Sequence, residues 1–247
     1  MVRLVAILIL AAPALALANP GRPPELAESE QLIVVTSPEW PANHGTVMLL
    51  ERSNRGKWQR VLPAAPVMLG RKGMAWGIGL LKEPSRKREG DGCSPAGVFE
   101  LECVYGGSGA QPIENFPYRQ LSDAMEGIDD PKSRFYNRLV DTREVKARDW
   151  THSEKVRASN PMFRWCVAVK HNWQQRPGFG SCIYLHIWKQ AGVPTSGCTA
   201  MSAETLEPLV HWLDARKRPL LVQVPASELS KLGLPPGVLK LGRPPES

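Results

Sequence analysis

The sequence predicts a mainly β protein, a β-sandwich or barrel with one amphipathic helix packed on the sheet near the C-terminus. Short apolar and β-branched runs recur along the chain, and Gly and Pro residues separate them. One segment near the C-terminus has helical rather than alternating periodicity. The length of 247 residues, with 43% hydrophobic and 22% charged residues, is typical of one or two globular domains.

The predicted strands follow one another through most of the chain. Each combines apolar or β-branched residues with a turn signal at one or both ends. They are Leu32–Val35, Thr46–Leu50, Trp58–Leu62, Pro66–Leu69, Gly97–Cys103, Cys166–Val169, Cys182–Ile187 and Leu220–Val224. Their number and spacing indicate a sheet that is folded over a core rather than a flat one.

The segments between and after these strands have other patterns. Apolar residues repeat at helical spacing over Leu206–Leu213, Ser202 can cap the start of this helix, and Pro219 blocks its continuation. Residues 106–161 show little periodicity, and such a long irregular stretch is typical of a functional segment. We expect it to be an insertion with short helices that borders the active-site groove. The Pro- and Gly-rich residues 225–247 are expected to form a surface tail.

Residues 1–18 have the features of a secretory signal peptide. Arg3 supplies a short positive region, Leu4–Leu17 is almost entirely apolar, and small residues precede the cleavage position. A transmembrane anchor is the alternative, but this run is shorter than the ~20 apolar residues that span a bilayer. We expect export to the periplasm or cell envelope with no membrane span after cleavage, a loose leader at 19–30 and a folded domain at 31–224.

The formal net charge of +7 excludes few partners by itself. Lys and Arg are scattered and no nucleic-acid-binding motif accompanies them, so nucleic acid is not an expected partner. Attraction to an anionic cell envelope and simple solubility are the two explanations left open.

The five cysteines are an odd number in a chain expected to reach an oxidising compartment, so at least one thiol is unpaired. Cys166 and Cys182 flank a predicted hairpin, and we predict a disulfide between them. A second bridge, between Cys93 and Cys103, requires the chain to fold straight back within the ~7 Å limit for a disulfide. Cys198 is then the free thiol.

A histidine and this cysteine carry the chemistry. His186 lies at the end of a predicted strand, and Ser196 and Gly197 lead into Cys198. An imidazole can take the proton of a thiol and return it to a leaving amine. Glycine lets the backbone bend, so the amides of Gly197 and Cys198 are candidate oxyanion donors. A zinc site formed by Cys182, His186 and Cys198, a structural disulfide through Cys198, and coincidence are the alternatives.

These residues resemble the signature of the YkuD-type L,D-transpeptidases, a histidine followed at a distance by Ser-x-Gly-Cys or a close variant. Further segments resemble one exported, peptidoglycan-remodelling branch of that family. They are Gly90–Phe99, Asp129-Asp130-Pro131, Tyr136-Asn137 and Gly180-Ser181. The resemblance runs from Gln31 to Val224, which is nearly all of the expected mature chain.

The resemblance implies a YkuD-like β-sandwich catalytic domain that acts on peptidoglycan stem peptides without a metal or organic cofactor. Cys198 and His186 match the nucleophile and base of the family, and Ser196 and Gly197 match residues that line its oxyanion site. The cysteine would hold the stem peptide as a thioester until an amine acceptor takes it. A carbapenem would present a strained carbonyl to the same thiolate.

Two departures affect the expected substrate. Ile187 stands where the family usually has Gly after the histidine, and Ala200 replaces an Arg that suits a substrate carboxylate. Candidate substitutes for that arginine are Lys189, His171, Arg176 and the run Arg86-Lys87-Arg88. Candidate groove residues are Tyr118, Tyr136, Asn137, His171, Asn172 and Trp188. Hydrolysis by the same thioester route, as an L,D-carboxypeptidase or endopeptidase, and a non-catalytic wall-binding protein are the alternative functions.

Overall fold

The computed structural model describes residues 23–241, which contain an 11-stranded sheet, a separate three-stranded sheet and several short helices. The strands are β1 (Gln31–Ser37), β2 (His44–Arg52), β3 (Trp58–Arg60), β4 (Ala65–Met68), β5 (Met74–Trp76), β6 (Ser94–Gly106), β7 (Tyr118–Gln120), β8 (Met125–Ile128), β9 (Arg138–Asp141), β10 (Glu154–Lys155), β11 (Trp165–Val169), β12 (Tyr184–Ile187), β13 (Thr199–Met201) and β14 (Leu220–Pro225). The α-helices are α1 (Pro24–Glu28), α2 (Ala203–Trp212), α3 (Ala226–Leu229) and α4 (Pro236–Leu241).

The large sheet closes into a ring. Its strands run in the order β1-β14-β6-β11-β12-β13-β4-β2, and β2 also pairs with β1. The pairing of β1 with β14 is parallel and that of β1 with β2 is antiparallel. Within the described chain each of these strands therefore has a hydrogen-bonded neighbour on both sides, which is how a barrel removes exposed edges.

The predicted fold class and strands are confirmed. Each of the eight predicted segments overlaps one strand of the large sheet. Strands β5, β7 and β13 have no counterpart among the predicted strands, because three residues alone are too few to show alternation. This omission matters for β13, since it is the strand that directly follows Cys198.

The predicted amphipathic helix is α2. The Ser202 hydroxyl accepts a hydrogen bond from the Thr205 amide at 3.2 Å and so caps the helix start. Leu206, Leu209 and Val210 are buried against the sheet, as their spacing predicts. The helix begins two residues after β13, so it anchors the strand that directly follows Cys198.

The insertion at 106–161 is largely irregular, as predicted, but its regular elements are the short strands β7 to β10 and not the short helices that we expected. Strands β10, β8 and β9 form the three-stranded sheet. The Glu126 carboxylate on β8 accepts hydrogen bonds from Trp150, Ser153 and Lys155, and these bonds hold β10 against β8. Strand formation here depends on contacts between distant residues, which local sequence does not reveal.

Both ends of the described chain pack more closely than we predicted. Leu26 of α1 is only 1% exposed, although the leader was expected to be loose. In the expected surface tail, four apolar side chains join the core: Leu229, Leu232, Leu234 and Val238. Short helical turns in this segment place these side chains against the core. The Pro- and Gly-rich composition of the segment did not indicate this packing.

The predicted signal peptide at residues 1–18 lies outside the described residues, as does the end of the chain from residue 242. Among residues 23–241 no helix is both long enough and apolar enough to cross a membrane.

The two predicted disulfides are absent: all five cysteines lie in the described residues, and all are free thiols. Cys166 is paired across β11 and β12 with His186, not with Cys182. Cys103 lies in β6, which runs without interruption from the residue after Cys93. Ten residues of strand extend roughly 30 Å, far beyond the separation that a disulfide tolerates.

The packing of the C-terminal segment predicts that Leu229→Ala lowers the free energy of unfolding by about 2–5 kcal/mol, because it leaves a cavity in a filled core. Lys240→Ala, which changes an exposed side chain on α4, is the control and should have little effect. Urea denaturation measures both. Equal stability of the two variants would mean that this segment does not contribute to the core.

Candidate active site

The register of β12 and β13 brings the predicted catalytic pair together. These strands are parallel, and His186 pairs with Ala200. Side chains two residues apart on a strand share a face, so Cys198 lies on the same face as Ala200 and His186. Diagonal neighbours across two strands are within reach of a long side chain. The pair predicted from sequence therefore faces one site.

That face opens into a groove with a volume of about 540 Å³, which suits a peptide-sized ligand. One wall carries Cys198, His186 and their loop neighbours Trp188, Ser196 and Gly197. The insertion contributes Asp129 and Glu154 to a second wall, and Met162, the residue just after the insertion, lies there too. Arg71, Lys87 and Glu89 also face the groove. The insertion therefore borders the groove, as we expected.

His186 is oriented by a backbone carbonyl. Its Nδ1 lies 2.8 Å from the Ile187 oxygen, and because a carbonyl can only accept, Nδ1 carries the hydrogen. This leaves the lone pair of Nε2 to accept a proton. The Phe163 ring packs on the imidazole with centroids 5.5 Å apart. Burial lowers the pKa of His186, so the imidazole is neutral at rest.

Cys198 is also held in its neutral form. Burial, followed by the negative charge of Glu154, raises the pKa of the Cys198 thiol well above its ordinary value. The Tyr184 amide donates to Sγ at 3.4 Å, which partly offsets this effect. Sγ itself donates to the Cys182 carbonyl at 3.5 Å, and within the described chain it makes no hydrogen bond to His186. The resting site is a thiol beside a neutral imidazole, not an ion pair.

Two hydroxyl groups hold the backbone of Cys198 in place. Thr195 Oγ1 donates to the Cys198 carbonyl at 2.6 Å, and Ser94 Oγ donates to the same oxygen at 3.0 Å. Ser94 Oγ also accepts from the Gly70 amide at 2.9 Å. Neither hydroxyl was identified from sequence as part of the site. Both lie within quoted motifs, but small hydroxyl residues are too common for their spacing to carry a signal.

Gly197 has a different role from the one expected. Its amide donates to Thr195 Oγ1 at 3.1 Å, so it is not free to stabilise an oxyanion in this arrangement. A Cβ at this position would lie 3.2 Å from the Cys93 carbonyl oxygen. Glycine therefore lets two backbone segments approach closely here.

The turn that contains Asp91 and Gly92 is structural, as the sequence suggested. The Asp91 carboxylate accepts hydrogen bonds from the Lys87 ammonium at 2.6 Å and from the amides of Arg88 and Cys93 at 2.7 and 2.8 Å. Gly92 has a φ of 75°, a conformation that glycine adopts without strain. The turn thereby holds Lys87 at the groove and starts β6 at Ser94.

Two of the six candidate groove residues are near the catalytic pair. Trp188 lines the groove, and its amide donates to the Met201 carbonyl at 2.8 Å. Tyr136 is buried behind the groove and donates to Glu89 at 2.5 Å. Ser181 donates to the same carboxylate at 2.7 Å. Tyr136 thus supports a groove residue without lining the groove itself.

The other four candidates lie elsewhere. The Asn137 amide donates to the His171 and Asn172 carbonyls at 2.9 Å each, and its oxygen accepts from the Cys182 amide. Burial lowers the pKa of His171 to about 4, and both ring nitrogens face backbone groups. The Asn172 side chain holds a turn closed through Arg176 and Gly180. Tyr118 bonds to Gln120, away from the groove.

Some of the predicted substitutes for the missing arginine line the groove, and others do not. Lys87 and Lys189 line the groove, while His171 is a buried neutral group behind it. Arg86, Arg88 and Arg176 are not among the groove residues. Arg71 also lines the groove. The sequence analysis did not identify it, because a single arginine in a turn cannot be distinguished from an ordinary surface charge. In the described part of the chain no three His, Cys, Asp or Glu side chains are arranged to hold a metal ion.

The comparison with known protein families agrees with this geometry. The model of the YkuD family, the L,D-transpeptidase catalytic domain, matches residues 43–224. The match covers most of the chain and includes both His186 and Cys198, so the chain belongs to the YkuD family. No curated protein and no solved structure matches it. The family is one of enzymes that act on peptidoglycan peptides.

The Ser94 hydroxyl bridges the Gly70 amide and the Cys198 carbonyl, and this bridge predicts the effect of Ser94→Ala. Removing the hydroxyl leaves the buried Gly70 amide without its acceptor, which should lower the free energy of unfolding by about 1–3 kcal/mol. The Cys198 loop should also loosen, so the alkylation rate of Cys198 by iodoacetamide should change. Ser108→Ala, at an exposed serine, is the control. Identical stability and alkylation rates in both variants would argue against the bridge.

Proposed function

We propose that this protein is a peptidoglycan L,D-transpeptidase that forms a thioester between Cys198 and a stem peptide and transfers it to an amine acceptor. The single observation that carries the proposal is the shared face of Cys198 and His186 in one groove, with Nε2 of His186 left as a base. Membership of the YkuD family supports the same reaction class.

The proposed chemistry begins with proton transfer. Nε2 of His186 takes the proton from Cys198 Sγ as sulfur attacks the carbonyl carbon of the scissile peptide bond. The tetrahedral intermediate then expels the amine of the departing residue, which receives the proton from Nε2. The C–N bond is broken and a C–S thioester is formed. Because thiol and imidazole are both neutral at rest, sulfur becomes nucleophilic only as the substrate arrives.

Donor recognition is proposed to use groove cations in place of the usual arginine. Ala200 lies directly across from His186 and is one of the residues that line the groove. Arg71, Lys87 and Lys189 line the same groove and can meet a substrate carboxylate. Lys87 is already paired with Asp91, so Arg71 and Lys189 are the freer candidates.

We also propose the setting in which this reaction takes place. Members of the family are typically enzymes of the cell envelope, and the expected signal peptide would deliver the chain there. Hydrolysis to a shortened stem or an opened cross-link uses the same two residues and differs only in the nucleophile that resolves the thioester. The products therefore distinguish L,D-transpeptidase from L,D-carboxypeptidase or endopeptidase activity.

The nucleophile assignment predicts that Cys198→Ala abolishes turnover of defined muropeptides and the mass adduct formed with a carbapenem. His186→Ala should reduce turnover by about 100- to 10,000-fold, because the thiol loses its base. The double variant should be no slower than the worse single variant, since neither residue works alone. Mass spectrometry of products and of intact protein measures all three.

The control for these variants is Cys93→Ala, which removes a half-buried thiol that does not line the groove. It should retain both turnover and the carbapenem adduct. Full turnover by Cys198→Ala would instead favour a wall-binding function or another reaction class.

The position of residue 200 in the groove predicts a change of specificity in Ala200→Arg. A guanidinium there would lie beside His186 and offer a bidentate partner to a donor carboxylate. The relative use of tripeptide, tetrapeptide and pentapeptide stems should therefore change, and not merely the overall rate. Ala147→Arg adds the same charge at an exposed site and should not alter the ratio. A uniform loss on every stem would show only that Arg obstructs the groove.

A further inference from the structure

Cys182, which lies two residues before β12, has a backbone conformation that residues with side chains rarely adopt. Its φ is 53°, in the left-handed region that favours glycine, and the residue is buried. A non-glycine residue persists in this region only when its surroundings hold it there, and such residues cluster at functional sites. The contacts of Cys182 therefore indicate what this conformation achieves.

The carbonyl of Cys182 holds the thiol of Cys198. Cys198 Sγ donates to this oxygen at 3.5 Å, and it accepts from the Tyr184 amide at 3.4 Å. Both partners are backbone groups of one short segment, residues 182–184, so the path of that segment positions the sulfur. The direction of the Cys182 carbonyl thus determines where the thiol rests.

The amide of Cys182 is bonded to the side chain of Asn137. It donates to Asn137 Oδ1 at 2.8 Å. At the other end of the same carboxamide, Nδ2 donates to the carbonyls of His171 and Asn172 at 2.9 Å each. The carboxamide uses its oxygen and both of its N–H groups, so it cannot rotate without losing hydrogen bonds. Its oxygen is therefore held in place for the Cys182 amide.

The end of β8 binds both Asn137 and Cys182. The Ile128 carbonyl accepts from the Asn137 amide at 2.8 Å and from the Cys182 thiol at 3.6 Å. Gly127 permits this close approach, because a Cβ there would lie 3.0 Å from Cys182 Sγ. The insertion thus holds the backbone that leads into β12 through Asn137 and through the end of β8.

We infer that Asn137 is a positioning residue, which holds Cys182 in its left-handed conformation and, through the Cys182 carbonyl, fixes the resting position of the Cys198 thiol. This inference deepens the proposed function and rests on the proposed role of Cys198 as the nucleophile. Asn137 is not one of the residues that line the groove, so it acts through Cys182 and not on the substrate.

Two opposite effects on Cys198 follow from this arrangement. The bond from the thiol to the carbonyl exists only while sulfur carries its proton, so it opposes ionisation. The same bond keeps the sulfur on the face that it shares with His186. Loss of Asn137 should therefore let the thiol ionise more easily and yet place it less well for proton transfer. A residue that only stabilised the fold would not produce this combination.

The experiment measures the effect of Asn137→Ala in two backgrounds, the wild type and Cys182→Gly. Glycine adopts a φ of about 50° without strain, so in the second background Asn137 has no strained residue to hold. Alkylation of Cys198 by iodoacetamide across a pH range, followed by peptide mapping, reports ionisation of the thiol. Turnover of defined muropeptides reports its placement. Asn115→Ala, at an exposed asparagine of the same insertion, is the matched control.

Comparison within each background keeps the other charges around Cys198 constant. The ionisable side chains that line the groove with it are Arg71, Lys87, Glu89, Asp129, Glu154, His186 and Lys189. Those that share its buried cluster are Cys103, Tyr105, Cys166, Cys182 and Tyr184. Asn137→Ala removes none of them, so a change in the alkylation profile reports the lost hydrogen bonds.

In the wild-type background Asn137→Ala should move the midpoint of the alkylation profile to lower pH by about one unit and reduce turnover by about tenfold, as loss of one hydrogen bond implies. In the Cys182→Gly background the reduction in turnover should be about twofold or less, because the two positions are coupled. Asn115→Ala should behave as its parent in both. Equal effects of Asn137→Ala in the two backgrounds, or an unmoved profile in the first, would overturn the inference.

Asn137→Asp tests the role of the acceptor oxygen and decides the inference even if Asn137→Ala does not fold. Aspartate can accept from the Cys182 amide but cannot donate to the His171 and Asn172 carbonyls. Its alkylation profile should therefore not move to lower pH, and such a movement would exclude Oδ1 as the positioning group. Alkylation requires no peptidoglycan substrate, so failure of the proposed function would appear separately, as absence of turnover in the wild type.

Discussion

The parallel pairing of β12 with β13 is the constraint on which the site depends. It places Cys198 and His186 on one face even though a loop separates them in sequence. Everything around the pair preserves this register: Thr195 and Ser94 hold the Cys198 carbonyl, and α2 follows β13 at once. A shift of β13 by one residue would turn the thiol towards the opposite face of the sheet.

The electrostatic state of the site follows from its burial. Buried thiols resist ionisation and buried imidazoles resist protonation, so the pair exchanges its proton only when a reaction supplies the driving force. Glu154 strengthens this restraint, because its charge opposes a thiolate at Cys198. A groove that keeps the Cys198 thiol protonated protects it from adventitious oxidation, since the thiolate is the form that oxidants attack.

Sequence reasoning identified the elements whose signals are local. Apolar runs predicted eight strands, helical spacing predicted α2, and the motif around Cys198 predicted the catalytic pair. The features that it missed depend on contacts between distant segments. Cys166 faces His186 rather than Cys182 because of strand register, and the Gly197 amide bonds to Thr195 because of a tight loop. No spacing rule reveals that Asp129 and Glu154 meet in one groove.

The closed ring has a consequence for how the chain acquires its structure. Strand β1 bonds to β14, so almost the first and almost the last described segments are neighbours. Pairings between residues so far apart in sequence make folding slow, because a large loop must be closed before the contact forms. During synthesis the ring cannot be completed until Leu220–Pro225 has left the ribosome. Until β14 pairs, β1 and β6 each lack one hydrogen-bonded neighbour, and these two edges are exposed to pairing with other chains.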